Sequence, residues 1–379
     1  MKQSLGIYVH IPFCVQKCHY CDFCSFPDSG EDLMRAYTEE LCRRMQKELP
    51  PSKNWLVDTV YFGGGTPTLL PIDCFEEIMT LLRSLCDLSP TAEITAECNP
   101  ATASLSYLSA LRALGINRLS IGLQSVHDRE LSALGRVHTF SDFLSTYEDA
   151  RGAGFDNISA DLMYGIPDGT LESFRESLRT LAALSPEHIS AYGLKIEEGT
   201  PFAKKRETLR LPREDVEFEM YQAMTEILSS EGYHKYEISN FTKAGRESRH
   251  NLRYWRRQDY LGFGVAAHSC FEDVRFGNSR DMKKFLKGED ITEERYTLTE
   301  REKFEEWMML GLRLSEGLNE EEWTRRLGAP PESLLPALGA WIAEGYMKRQ
   351  NGRIAFTDKG FFVSNAILSE LLELPQKNC

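Results

Sequence analysis

Nowhere in its 379 residues does this sequence hold an apolar run approaching the roughly 20 residues that a bilayer-spanning helix needs. Its first residues, MKQSLGIYVHIPFC, lack the long apolar stretch and small-residue cleavage site of a secretion signal. The expectation is a cytoplasmic protein, at most peripheral at the inner face of the membrane. Positive charge is scarce as well. Lys and Arg number 44 against 57 Asp and Glu, and the net charge of −13 has the wrong sign for a general nucleic-acid binder. Internal repeats and low-complexity linkers are missing. What remains is a chain of ordinary globular composition, long enough for one large domain and a small one.

The ten cysteines are too unevenly placed for a secreted disulfide scaffold. Cys42, Cys74, Cys86, Cys98, Cys270 and Cys379 are scattered singly and read as small buried apolar residues or free thiols. The other four, Cys14, Cys18, Cys21 and Cys24, crowd into YVHIPFCVQKCHYCDFCSF, residues 8–26. A zinc ribbon needs a second CxxC pair further along, and there is none. A redox CxxC normally opens a helix after a strand in a much smaller domain. Three thiolates on one short loop can instead hold three irons of a [4Fe–4S] cube and leave the fourth iron open.

From residue 5 to about 195, strand-like runs alternate with amphipathic helical stretches. The runs are GIYVHI, VDTVYF, AEITAE, NRLSIGL, NISADLMYG and EHISAYGLK. Such alternation predicts an α/β fold with a parallel sheet. Six units are too few to close an eightfold barrel, so a partial (β/α)6 TIM-like barrel is expected, with its chemistry at the carboxyl ends of the strands. The cysteine loop, GGGTPT, Glu97 with Asn99, and Gln124 all fall at such ends, and Asp161 lies within its run.

CxxxCxxC with Tyr20 just before its last cysteine, followed by GGGTP, resembles the radical S-adenosylmethionine (SAM) superfamily. There the open iron chelates the amino and carboxylate groups of SAM, and the reduced cluster can split the sulfonium to a 5′-deoxyadenosyl radical. YVHIPFC, YFGGGTPT, ECNP, LSIGLQS, LGR and DLMYGIP together look like the coproporphyrinogen dehydrogenase-like family. That family includes oxygen-independent coproporphyrinogen III dehydrogenases and HemW-type haem chaperones. The resemblance implies cluster binding by Cys14, Cys18 and Cys21. It further implies SAM contacts from Tyr8, Tyr20, Gly64 and Glu97, with Gly65, Thr66, Gln124, Arg136 and Asp161 at positions that meet a second SAM in the dehydrogenase. Gly63, Gly64 and Gly65 would let backbone approach the methionine end of SAM.

Three features favour the chaperones over the dehydrogenase. Only seven residues precede Tyr8, where the dehydrogenase has a longer extension. Phe23 stands where it has a cysteine. His250-Asn251-Leu252-Arg253-Tyr254-Trp255 matches the HNxxYW haem motif. In that reading His250, Tyr254 and Trp255 contact haem, and Arg246, Arg249, Arg253, Arg256 and Arg257 offer charge to its propionates. The resemblance thus implies a chaperone with a [4Fe–4S] cluster, SAM and haem. It would serve an apo-haemoprotein, expected to be a membrane-bound respiratory one, and act as a monomer or a homodimer. The alternatives are the dehydrogenase and another radical SAM enzyme such as a methyltransferase.

The expected boundaries are 1–235 for the core, 236–296 for an irregular connecting segment, and 297–379 for a mainly helical, winged-helix-like domain. Residues 300–379 carry ten Lys or Arg against thirteen Asp or Glu, which points to packing or protein contact rather than DNA. Cys24 is expected to be no cluster ligand when SAM is bound, because a fourth thiolate would close the open iron.

Overall fold

A computed structural model of the chain describes residues 2–27, 29–51, 54–327 and 335–373. Six parallel strands lie in sequence order at the centre of one sheet. They are β1 (Gln3–Ile11), β2 (Trp55–Gly64), β3 (Asp87–Cys98), β4 (Arg118–Gln124), β5 (Ile158–Tyr164) and β6 (His188–Gly193). Helices fill each crossover, among them Glu31–Glu48, Ile72–Leu85 and Leu171–Leu184. Strands covered on both faces need apolar residues on both, and β4 is buried along its whole length. Helix starts are fixed locally: Thr139 with Asp142 and Thr170 with Ser173 form reciprocal capping boxes.

The stretch expected to be irregular, 236–296, carries regular structure and extends the sheet at both edges. Tyr260–Phe263 pairs parallel with β1, and His268–Phe271, Val274–Asn278 and Thr292–Thr297 follow it antiparallel. Asn240–Thr242 and then His234–Lys235 pair antiparallel beyond β6. Among the described residues the sheet is an open run of twelve strands.

The C-terminal part holds the helix Glu300–Gly311, shorter helices and a three-stranded sheet of Leu318–Asn319, Arg353–Phe356 and Met347–Gln350. It docks on the core through Ser315, whose N–H donates to the Tyr236 carbonyl at 3.0 Å, and through the Lys235–Asp358 ion pair. Within the expected C-terminal domain, residues 328–334 and 374–379, Cys379 among them, lie outside the described residues. Among the described residues no helix is long and apolar enough to cross a membrane.

Candidate functional site

Side chains alternate across a strand, so every second residue of β4 (Arg118, Ser120, Gly122 and Gln124) faces the same cavity. Tyr61, Glu97, Asp161, Ser190 and Tyr192 join them from other strands of the sheet, and Asn99 from just past the end of β3. The cavity measures about 1420 Å³ and runs from the cysteine loop to the C-terminal domain.

At one end stand Cys14, Cys18 and Cys21, with Tyr20 beside them. Their loop is pinned from below. The His19 N–H donates to the Leu134 carbonyl at 2.9 Å, and the Phe202 N–H donates to the His19 carbonyl at 3.0 Å. Cys24 does not line the cavity. It is buried in the main core, and its carbonyl accepts from His10 Nε2 at 2.8 Å. That bond fixes the tautomer, so the Tyr8 hydroxyl donates to His10 Nδ1 at 2.9 Å. Tyr8, an expected SAM contact, is thereby turned to His10 and stacks on Tyr61 instead of lining the cavity.

The glycine run is explained by packing against the protein itself. A Cβ on Gly64, at φ 113°, would run into the His10 ring, and one on Gly65 would lie 2.5 Å from the Phe13 carbonyl oxygen. The Gly64 N–H donates to Glu97 Oε2 at 3.1 Å, and the Tyr61 hydroxyl donates to Glu97 Oε1 at 2.9 Å. Burial, with nearby Asp161 adding repulsion, pushes the Glu97 carboxyl up to about 7 against these bonds. Burial likewise raises Asp161, which accepts from the Ser120 hydroxyl at 3.3 Å.

A chain of polar contacts joins two of the thiols. Thr66 Oγ1 donates to Cys14 Sγ at 3.6 Å and accepts from Asn99 Nδ2 at 2.6 Å. Asn99 Oδ1 accepts from Arg136 Nη2 at 3.1 Å, and Arg136 Nη1 donates to Cys18 Sγ at 3.5 Å. Arg136 also donates to the Gly122 carbonyl at 2.5 Å, while its buried Nε has no partner. Thr66 and Arg136 are therefore held by the cysteine loop. Gln124, in the left-handed region at φ 73°, accepts from the Tyr192 hydroxyl at 3.0 Å.

These residues fit a [4Fe–4S] cluster with an amino-acid-bearing cationic ligand. Three thiols share a loop, hydrogen-bond donors reach two of the sulfurs, and two buried carboxyls lie across from them. Among the described residues no three His, Cys, Asp or Glu side chains converge as a site for one ion. A cube takes one thiolate per iron and holds its cysteines apart.

HNLRYW folds as a short helix, Arg249–Trp255, beneath the amino ends of the strands. Glu93 on β3 accepts from the Arg249 and His250 N–H groups at 3.1 and 3.0 Å, an acidic side chain at a helix start. His250, expected to contact haem, is sealed inside. Nδ1 pairs with the Thr59 hydroxyl and Nε2 with the Tyr254 hydroxyl, each at 2.8 Å, and the ring stacks on Tyr61. Burial lowers its pKa to about 3, and neither nitrogen is free for iron. Asn251, Tyr254 and Trp255 do line the cavity.

The expected basic patch is also corrected. Arg253 is buried against Asp58, and Arg257 pairs with Asp273 and Glu306. Arg246, Arg249 and Arg256 face Asp156, Asp58 and Glu316. Sequence reasoning missed Arg118, Tyr192, Arg313 and the C-terminal wall of Met309, Leu310, Phe361 and Phe362. The period-two alternation of NRLSIGLQ pointed to Arg118. For the others no local signal exists.

Models of two families match the chain: the radical SAM superfamily over residues 8–181 and the HemN C-terminal domain over residues 298–363. The chain is 35% identical over 379 residues to the haem chaperone HemW of Bacillus subtilis, covering 96% of this chain and 98% of the relative. It is 33% identical over 373 residues to HemW of Escherichia coli, covering 97% and 98%. Among solved structures it resembles the radical SAM enzyme coproporphyrinogen III oxidase (HemN) of Escherichia coli. The TM-score is 0.86 at 24% identity, over 98% of this chain and 91% of that one. At that identity the likeness concerns the fold.

Proposed function

Because the chain belongs to the HemW haem-chaperone family within the radical SAM superfamily, we propose that it binds haem and hands it to apo-haemoproteins. The observation that carries this reading is one cavity with three thiols at one end and an apolar, aromatic wall at the other. Small-ligand pockets typically occupy roughly 300–1,000 Å³. At about 1420 Å³ this one has room for SAM and a macrocycle together.

Cys14, Cys18 and Cys21 would hold the cluster, and Thr66 and Arg136 would steady the sulfurs of Cys14 and Cys18. The cluster with SAM supplies one-electron chemistry when bound. Glu97 and Asp161 would accept from the ammonium or ribose hydroxyls of SAM, and Tyr20, Gly64, Gly65 and Gln124 would shape its bed. Tyr254 and Trp255 would flank the macrocycle, facing Met309, Leu310, Phe361 and Phe362. His250 acts from behind, as the partner that holds the Tyr254 hydroxyl. The proposed recipient is a membrane-bound respiratory haemoprotein met at the cytoplasmic face.

Anaerobic haem titration of wild type and His250→Ala tests this arrangement. Wild type should show one saturable Soret change. The variant should bind severalfold more weakly with an unchanged ligation spectrum. A variant spectrum with a different axial ligand would return His250 to the iron.

A further inference from the structure

With the five arginines around HNLRYW facing carboxylates of the protein, the acidic edge of a tetrapyrrole needs other cations. The cavity walls hold five: Lys17, Arg118, Arg136, Lys195 and Arg313. Lys17 donates to the Phe23 carbonyl, Lys195 is exposed, and Arg136 is engaged by Cys18, Asn99 and Gly122.

Arg118 and Arg313 differ from these. Arg118 is 1% exposed, its Nε is buried without a partner, and among the described residues nothing accepts a hydrogen bond from its guanidinium. Glu97 and Asp161 lie within its field, but Glu97 is spent on Tyr61 and Gly64, and Asp161 on Ser120. Arg313, just beyond the helix Glu300–Gly311, donates to Ser364 Oγ at 3.1 Å and Asn365 Oδ1 at 2.5 Å. Both acceptors are neutral, and no carboxylate of the described residues pairs with it within 4 Å. The two arginines approach the cavity from different parts of the molecule, the β4 strand and the C-terminal domain. Tyr236 lies in the field of Arg118, and the next residue, Glu237, in that of Arg313.

A guanidinium without a hydrogen-bonded carboxylate has unused donors, costly where they are buried as Arg118 Nε is, and its fork matches a carboxylate. We propose that Arg118 and Arg313 form a pair that reads carboxylates, one receiving each propionate of the bound tetrapyrrole. This assignment rests on the haem reading above. Haem bound between them would tie the core to the C-terminal domain, and loss of either contact would loosen it.

The test is anaerobic titration of the full chain, as wild type, Arg118→Gln, Arg313→Gln and the double variant. Three probes are used: haem, haem dimethyl ester, whose propionates are capped, and SAM. Wild type should prefer haem over the ester by on the order of tenfold per charge-assisted pair. Each single variant should lose about that factor for haem with ester binding unchanged, and the double variant should not discriminate. The ester comparison in wild type reads the proposal without any substitution. Equal wild-type affinity for haem and ester overturns it, as does a loss confined to SAM, which would assign the guanidiniums to the aminoacyl carboxylate. Wild type binding neither porphyrin would overturn the haem reading itself.

Discussion

Glu97 and Asp161 share the cavity, among the described residues no cation hydrogen-bonds to either, and burial raises both. A cationic ligand binds the ionised carboxylate, so with Glu97 near 7 its affinity should climb as pH rises and level off above that value. SAM affinity measured by anaerobic equilibrium dialysis should rise about tenfold from pH 6 to pH 8. Glu97→Gln should bind more weakly with a flat profile, and a flat wild-type profile would contradict the contact. Cys24 makes the other residue-scale prediction. It packs in the core while Cys14, Cys18 and Cys21 face the cavity. Cys24→Ser should keep its full iron and sulfide content after reconstitution, and Cys21→Ser should lose most of it. The three cysteines proposed as ligands could be picked out in the sequence because their spacing is local. The orientation of His250 was not, since its partners Thr59 and Tyr61 lie about 190 residues away along the chain.

At the scale of elements, the HNLRYW helix is a plug, held by polar bonds in a place where strands usually present apolar side chains. Arg253 fills the space above Gly6, whose added Cβ would strike it, and pairs with Asp58. Removing one partner of a buried pair typically costs 3–5 kcal/mol. Asp58 retains 22% of its side-chain exposure, so Asp58→Asn should cost roughly 3 kcal/mol, the low end of that range. Urea unfolding measures it, and a loss below about 1 kcal/mol would mean that the plug is not held by this pair. The six core strands could be read from sequence because short strand-like runs alternate regularly with amphipathic helical stretches. The strands of 236–296 could not. Several span only three or four residues, and Thr292–Thr297 is exposed throughout, so no burial pattern is written into it.

For the whole molecule, the cavity exists because the C-terminal domain closes over the open side of the partial barrel. Met309, Leu310, Arg313, Phe361 and Phe362 complete walls begun by β2 to β6. Sequence motifs identified the cysteine end, where strand ends converge, but this far wall arises from docking between segments more than a hundred residues apart. It supplies the apolar surface a macrocycle needs, so a chaperone should pass haem on while docked with its recipient rather than spill it into water. The direct measurement is stopped-flow transfer of haem from the loaded, cluster-reconstituted protein to an apo-haemoprotein under anaerobic conditions. The transfer rate is predicted to rise with acceptor concentration and then saturate, as for release within a complex. A rate that stays at the value for haem loss to a simple scavenger, whatever the acceptor concentration, would contradict the chaperone account.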